Sequence, residues 1–138
     1  MSYRLTQFFA GACLSVILAT TAHATQSTAS SEYRQGTNAF REGNFEQALE
    51  HFEAARNMGQ ETPGLVYNMA VTHYKLNNLD EAEVLFEELA NRYPDWRDLG
   101  RYNLGRIAMR RGNDDQAAKY FRLVQRTASN DELVYLAG

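Results

Sequence analysis

The chain has 138 residues, of which 44% are hydrophobic and 22% charged, a composition typical of one globular domain. Its formal net charge of −3 disfavours a nucleic-acid-binding protein, because such proteins gain affinity from cations that neutralise phosphates. The single cysteine, Cys13, excludes an intramolecular disulfide and a zinc site built from cysteines.

The first 24 residues follow the pattern of a secretory signal peptide. A short start containing Arg4 precedes an apolar run from Phe8 to Ala19, and small residues follow up to Ala24. The apolar run is shorter than the roughly 20 residues that a membrane anchor needs. We therefore expect cleavage after Ala24, export to a bacterial periplasm and no stable membrane span afterwards. Residues 25–29 predict a short disordered lead-in to a domain over 30–138.

Three segments of the remaining chain, 29–62, 63–96 and 98–131, align with one another at a spacing of 34 or 35 residues. Each contains a glycine or alanine, then an alanine 12 residues later, then a phenylalanine four residues after that. These aligned residues are Gly36, Ala48 and Phe52; Ala70, Ala82 and Phe86; and Gly105, Ala117 and Phe121. The spacing predicts two helices in each segment. We expect first helices over 30–42, 63–76 and 98–111, and second helices over 45–57, 79–91 and 114–126.

Turn residues separate the two predicted helices of every segment. A residue that tolerates a left-handed backbone ends each first helix, namely Gly43, Asn77 and Gly112. An asparagine then begins each second helix, with Gln or Glu three residues later, which predicts three capping boxes. The pairs are Asn44 with Gln47, Asn78 with Glu81, and Asn113 with Gln116. Thr62 and Pro63 give the second segment an N-cap followed by a proline at the first helical position.

The period and these small, turn and aromatic residues resemble the tetratricopeptide repeat, a helix–turn–helix unit of about 34 residues. The resemblance implies an all-α fold, a right-handed solenoid of three units. We expect the glycines and alanines to bring the two helices close, and Phe52, Phe86 and Phe121 to fill the core. Ser129 with Glu132 predicts the start of a short C-terminal capping helix. Leu133 and Leu136 on that helix leave open whether this end binds a further repeat or a second copy of the chain.

The resemblance also implies a concave groove lined by the first helix of each unit, which binds a segment of a partner protein. The residues carried onto this groove are Tyr33, Thr37, Phe40, Arg41, Tyr67, Asn68, Val71, Tyr74, Lys75, Tyr102, Asn103, Arg106, Met109 and Arg110. Aromatic and basic side chains in parallel stripes suit a segment with apolar anchors and some acidic groups. The alternative for the aromatic residues is that helical spacing simply places them in the core.

Heat-shock co-chaperones of this family use the groove as a carboxylate clamp, which needs basic or asparagine side chains at five positions. Only Asn68 has the residue type that its own position in the clamp requires. The other four positions hold Tyr33, Thr37, Leu99 and Asn103, so the clamp function is not expected here.

Five arginines lie on or beside the first helix of the third segment: Arg97, Arg101, Arg106, Arg110 and Arg111. They suit an acidic partner or another anionic surface, or else they form ordinary ion pairs on a solvated helix.

No group of residues has the pattern of a catalytic or metal site. His51 has no second histidine at a metal-binding spacing, and His73 falls on the face expected to pack. A glycine-rich phosphate loop and a nucleophile elbow are both lacking. We therefore expect no enzymatic activity, no cofactor and no metal.

The hypothesis from sequence is a non-enzymatic adaptor of the bacterial periplasm that binds a peptide segment of another envelope protein. The alternative is a structural or self-associating module of an outer-membrane export or assembly machine, for polysaccharide or lipoprotein. Nucleic acid is not an expected partner under either interpretation.

Overall fold

A computed structural model of the chain describes the backbone of residues 28–137 and the side chains of residues 28–127. Six α-helices follow one another: α1 (28–41), α2 (Phe45–Asn57), α3 (Pro63–Lys75), α4 (Leu79–Arg92), α5 (Arg97–Arg110) and α6 (Asp114–Ala137). A 3-10 turn, Pro94–Trp96, links α4 to α5. The structure confirms the predicted all-α fold. The first five helices lie within a few residues of their expected bounds, and α6 extends well beyond its expected end.

The predicted signal peptide over 1–24 lies outside the described residues. The lead-in predicted for 25–29 is described only at its end, and there it differs from expectation. Residues 28 and 29 already belong to α1, and Ala29 is only 4% exposed. No helix of the described chain is long and apolar enough to cross a membrane.

Within each repeat unit, a turn with one left-handed residue joins the first helix to the second. Gly43, Asn77 and Gly112 have φ angles of 82°, 66° and 74°. Two main-chain hydrogen bonds close the first of these turns, from Gly43 N to Phe40 O at 3.1 Å and from Asn44 N to Ala39 O at 2.9 Å. The same pair of bonds recurs in the other two units, so carbonyl groups left over at each helix end are satisfied.

The predicted N-caps differ in how they are made. The Thr62 hydroxyl accepts a hydrogen bond from Leu65 N at 3.3 Å, as expected. Asn113 forms its capping box, accepting from Gln116 N at 3.3 Å and donating to Gln116 Oε1 at 2.9 Å. Asn44 and Asn78 occupy the cap position, but neither side chain bonds to its helix. Two of the three predicted capping boxes are therefore wrong, since the main-chain bonds alone fix those turns.

Small residues bring neighbouring helices into close contact. A Cβ atom at Gly105 would lie 2.6 Å from Phe121 Cε1, so the absence of a side chain lets α5 approach α6. Gly100 likewise lets α5 approach α4, because a Cβ atom there would lie 2.8 Å from Phe86 O. The predicted role of the aligned glycine is confirmed at Gly105, and the close approach at Gly100 was not expected.

The core runs continuously between the helix pairs. Phe52 and Phe86 are fully enclosed, with Leu65, Leu89 and Ile107 around them. Phe121 was predicted to be equally buried, and it is only half-buried. The reason is that α6 packs on α5 and is the last helix of the described chain.

The C-terminal end differs from the sequence expectation. A separate helix was predicted to begin at Ser129, yet α6 continues without interruption from Asp114 to Ala137. A serine within a helix does not end it when the main-chain hydrogen bonds continue through that turn. The capping element is thus an extension of the third unit's second helix.

Candidate functional site

Helices α1, α3 and α5 lie side by side and form one surface, here called the inner face. Two contacts fix this arrangement. The Asn68 amide on α3 donates to the Tyr33 hydroxyl on α1 at 3.0 Å. The Arg110 guanidinium on α5 donates to the Tyr74 carbonyl oxygen on α3 at 3.1 Å. The sequence placed all its groove residues on these three helices, and the structure brings the helices together.

The polar groups on the α1 side of the inner face are largely used within the chain. Tyr33 is hydrogen-bonded to Asn68 and its ring lies 5.8 Å from that of Phe52. Thr37 donates to the Tyr33 carbonyl oxygen at 2.9 Å. Phe40 is half-buried against Phe45, at 5.3 Å between ring centroids. These side chains shape the surface while offering few polar groups to a ligand.

The middle of the inner face is aromatic and half-buried. The Tyr67 ring lies 6.2 Å from that of Phe86 and 5.9 Å from that of Trp96. Val71 packs on the same core. Trp96 was not among the residues predicted for the site, because it belongs to the 3-10 turn between two units and lies outside the repeat pattern.

Exposed apolar side chains of the inner face are concentrated on α5. Tyr102 is 48% exposed, Met109 56% and Leu99 38%. Leu99 was missing from the predicted groove, although its spacing of three residues from Tyr102 places both on one helix face. The Tyr102 ring rests on Phe121 at 5.6 Å between centroids, which holds it in place while it remains open to solvent.

Asn103 is not available to a ligand. It was predicted to line the groove, but it is only 3% exposed. Its amide donates to the Leu99 carbonyl oxygen at 2.8 Å, and its side-chain oxygen accepts from Arg106 at 3.0 Å. Its role is to orient Arg106 from inside the helix pair.

Two arginines one helical turn apart on α5 converge on one tyrosine of α3. The guanidinium carbons of Arg106 and Arg110 each lie 4.8 Å from the centroid of the Tyr74 ring, within the range of cation–π attraction. Together with Met109 they line a shallow cavity of about 290 Å³. We call Tyr74, Arg106 and Arg110 the tyrosine–arginine cluster.

Four of the five arginines of the third unit fall into two sets. Arg101 pairs with Asp98 at 3.5 Å, and Arg111 pairs with Glu83 at 2.6 Å and with Asp80. The hydrogen bond that Arg111 donates to Glu83 raises the pKa of Arg111 above its ordinary value. Arg106 and Arg110 contact no carboxylate among the side chains of residues 28–127. Ordinary ion pairing therefore accounts for Arg101 and Arg111, while the two cluster arginines remain without an acidic partner there.

The last residue of each inner-face helix is also a cation. Arg41 ends α1, Lys75 ends α3 and Arg110 ends α5, and all three are exposed. Within residues 28–127 none of the three has a carboxylate partner. We call Arg41, Lys75 and Arg110 the cation row.

The histidines have structural surroundings. His51 Nδ1 lies 2.7 Å from Glu32 Oε2, an ion pair between α2 and α1 when the ring is protonated. His73 is half-buried on α3, and its Nδ1 atom is enclosed without a hydrogen-bond partner. Within the part of the chain that the structure describes, no three His, Cys, Asp or Glu side chains are grouped to hold a metal ion.

The sequence of the chain matches models of a known repeat family. Two family models described as tetratricopeptide repeat match residues 39–100 and 101–134. No curated protein matches the chain in sequence.

Two of the solved structures that share the fold are similar over most of this chain. The N-terminal domain of stress-induced protein-1 (STI-1) from C. elegans is 17% identical, with a TM-score of 0.67 over 81% of this chain and 93% of that one. The second TPR domain of Spaghetti (RPAP3), bound to the HSP90 peptide SRMEEVD, is 21% identical. Its TM-score is 0.66 over 80% of this chain and 96% of that one.

Proposed function

Because the chain belongs to the tetratricopeptide repeat family, we propose that it is a non-enzymatic scaffold that binds a segment of a partner protein in the bacterial periplasm. The partner segment lies on the inner face, and its principal contacts are with α5. The partner is another protein of the cell envelope.

The observation that carries this proposal is the coincidence of exposed apolar groups and cations on α5. Leu99, Tyr102 and Met109 lie in line along one side of the helix, with Arg106 and Arg110 among them. Exposed aromatic, methionine and arginine side chains are enriched where proteins bind one another. The opposite side of α5 is buried, at Leu104, Ile107 and Ala108, so the helix is rigidly held.

The ligand differs in kind from the HSP90 peptide seen with the RPAP3 domain. Four of the five positions that the carboxylate clamp requires hold Tyr33, Thr37, Leu99 and Asn103. Tyr33 is engaged with Asn68, and Asn103 is buried. The exposed cations Arg41, Lys75 and Arg110 lie elsewhere on the inner face.

The periplasmic part of the proposal is supported by the signal-peptide pattern of residues 1–24. Its test is fractionation of cells that express the full chain, followed by sequencing of the amino terminus of the exported form. A mature chain that starts at Thr25 in the periplasmic fraction supports the proposal. An uncleaved chain in the cytoplasm contradicts it.

The binding surface is tested by photo-crosslinking in living cells. One variant carries a photoreactive residue in place of Tyr102 on the inner face, and a control carries it in place of Glu50, which is exposed on α2. We expect a partner protein to be captured from residue 102 and not from residue 50. Capture from residue 50 alone contradicts the proposal, and adducts between two copies of the chain support the self-associating alternative.

A further inference from the structure

We infer that the tyrosine–arginine cluster binds an aspartate or glutamate side chain of the partner, and that the partner segment is acidic and extended. The inference rests on the proposed function and specifies the chemistry of the ligand. Its basis is a set of cations on the inner face that no carboxylate of residues 28–127 neutralises.

The cluster holds two positive charges next to one tyrosine ring. Arg106 and Arg110 both lie 4.8 Å from the Tyr74 ring centroid, and Arg110 is further fixed by its bond to the Tyr74 carbonyl oxygen. Arg106 is fixed by Asn103, which is itself buried. Two guanidiniums held together repel each other, and a bound carboxylate relieves that repulsion while accepting charge-assisted hydrogen bonds.

The remaining donor groups of the cluster are available. A guanidinium has five N–H donors, and within residues 28–127 each cluster arginine donates to a single oxygen atom. The cavity of about 290 Å³ beside them is open to solvent and includes Met109 in its lining. Arg106, Arg110 and Met109 all line this cavity, so we assign the carboxylate to it, with the apolar part of its side chain against Met109.

Helix-dipole compensation explains only part of this arrangement. Cations in the last turn of a helix stabilise it, and the cation row of Arg41, Lys75 and Arg110 occupies that position in α1, α3 and α5. Arg106 lies one turn earlier and is directed onto the neighbouring helix. The cluster therefore contains a cation that the dipole does not require.

The cation row indicates that the partner segment binds through its side-chain carboxylates rather than through its terminal carboxylate. The row supplies one exposed cation per unit along the same edge of the inner face. A chain terminus would engage one of these cations, whereas an extended acidic segment that crosses the three helices engages each in turn. At the groove positions carried over from the family, acidic residues are lacking, so the whole surface is complementary to an anionic segment.

The first experiment selects random dodecapeptides displayed on phage against the exported protein. We expect the selected peptides to contain two or more Asp or Glu residues beside apolar residues. Selection of neutral or basic peptides overturns the inference and leaves the proposed function intact. Failure to select any peptide contradicts the proposed function, and the inference with it.

The second experiment measures the affinity of one selected peptide by fluorescence anisotropy. Replacing its Asp and Glu by Asn and Gln should weaken binding about tenfold or more, because hydrogen bonds to charged groups are lost. Amidation of its carboxyl terminus should leave the affinity unchanged. Loss of binding on amidation alone overturns the assignment to side-chain carboxylates.

The third experiment varies the protein. Arg106→Gln and Arg110→Gln should each weaken the acidic peptide about tenfold, and neither should alter the affinity of its neutral version. Arg122→Gln is the matched control, since Arg122 is exposed on α6 and, among the side chains of residues 28–127, its own bonds only to the Ala118 carbonyl oxygen. Its effect should stay within about twofold.

Folding of each variant is checked by its thermal midpoint. Arg106→Lys keeps the charge but loses the planar group that lies over Tyr74, and it should retain more affinity than Arg106→Gln. Equal binding of the acidic peptide by wild type and by both folded glutamine variants overturns the inference.

Discussion

The ring of Phe52 occupies the space where a side chain on Gly36 would begin. A Cβ atom built on Gly36 would lie 2.7 Å from both Phe52 Cδ1 and Cε1, and 3.1 Å from the Ala48 carbonyl oxygen. The contact joins α1 to α2 in the first unit. Its geometry recurs between Gly105 and Phe121 in the third unit.

The first prediction follows from this contact. Gly36→Ala should destabilise the protein by about 1–3 kcal/mol, because the aromatic ring and the α2 backbone leave no room for a methyl group. Urea unfolding of the exported protein measures the effect. The same substitution in a Phe52→Leu background should cost less, since the ring that it collides with has been removed. Equal costs in both backgrounds would contradict this explanation.

The second prediction concerns Ala82 on α4, which is fully buried. Ala82→Leu should lower stability by about 1–3 kcal/mol, because three further carbon atoms must enter a filled core. The control is Ala118→Leu, at an exposed position on α6, which should leave the thermal midpoint nearly unchanged. A midpoint unaffected by Ala82→Leu would count against the packing described for the second unit.

The third prediction compares two caps that look alike in sequence. Asn113→Ala should cost about 1 kcal/mol, because it removes a side-chain bond to the start of α6. Asn78→Ala should cost less, since the Asn78 side chain makes no such bond to α4. Chemical denaturation of the two variants side by side provides the comparison. A larger loss at position 78 would show that its cap differs from the one described.

The fourth prediction concerns the dependence of stability on pH. The hydrogen bond that Arg111 donates to Glu83 raises the pKa of Arg111 above its ordinary value. A raised pKa stabilises the folded state at every pH below the ordinary value, and this stability is lost only as pH rises through the folded value. From about pH 7 to about pH 10 the guanidinium stays charged in both states. The difference in unfolding free energy between wild type and Arg111→Gln should therefore stay constant over that range.

The size of that difference should be small. The Arg111 side chain is 34% exposed, and ion pairs open to solvent contribute less than about 1 kcal/mol. Raising the salt concentration should reduce it further, since counter-ions screen exposed charges. A difference that changes steeply between about pH 7 and about pH 10 would indicate that another titrating group controls the contact.

Sequence analysis located the helices because helix ends are local features. Gly43, Asn77 and Gly112 end their helices for reasons contained in a few neighbouring residues, and the structure gives all three left-handed backbones. Pro63 begins α3 for an equally local reason. The period of the small residues and phenylalanines predicted which helices pack together, since a repeated unit repeats its contacts.

The candidate site was predictable only in outline. The sequence assigned Tyr74, Arg106 and Arg110 to helices that line one surface. Their convergence depends on how α3 and α5 are placed side by side, two helices that are joined through α4. Asn103 and Asn68 occupy equivalent positions in their repeat units. Asn103 is only 3% exposed, whereas the Asn68 side chain bonds to Tyr33 on the inner face. Which side of a helix is covered depends on its neighbours on both sides.

The sequence by itself determined the all-α fold, the bounds of the first five helices to within a few residues, and the pairing of Gly36 with Phe52 and of Gly105 with Phe121. Backbone preferences and short-range packing are sufficient for those. Only the tertiary structure decided which polar side chains are already satisfied, how far α6 extends and which cations lack an acidic partner among the described residues. Those properties depend on contacts between residues far apart in the chain. The Arg110–Tyr74 bond, for example, spans 36 positions.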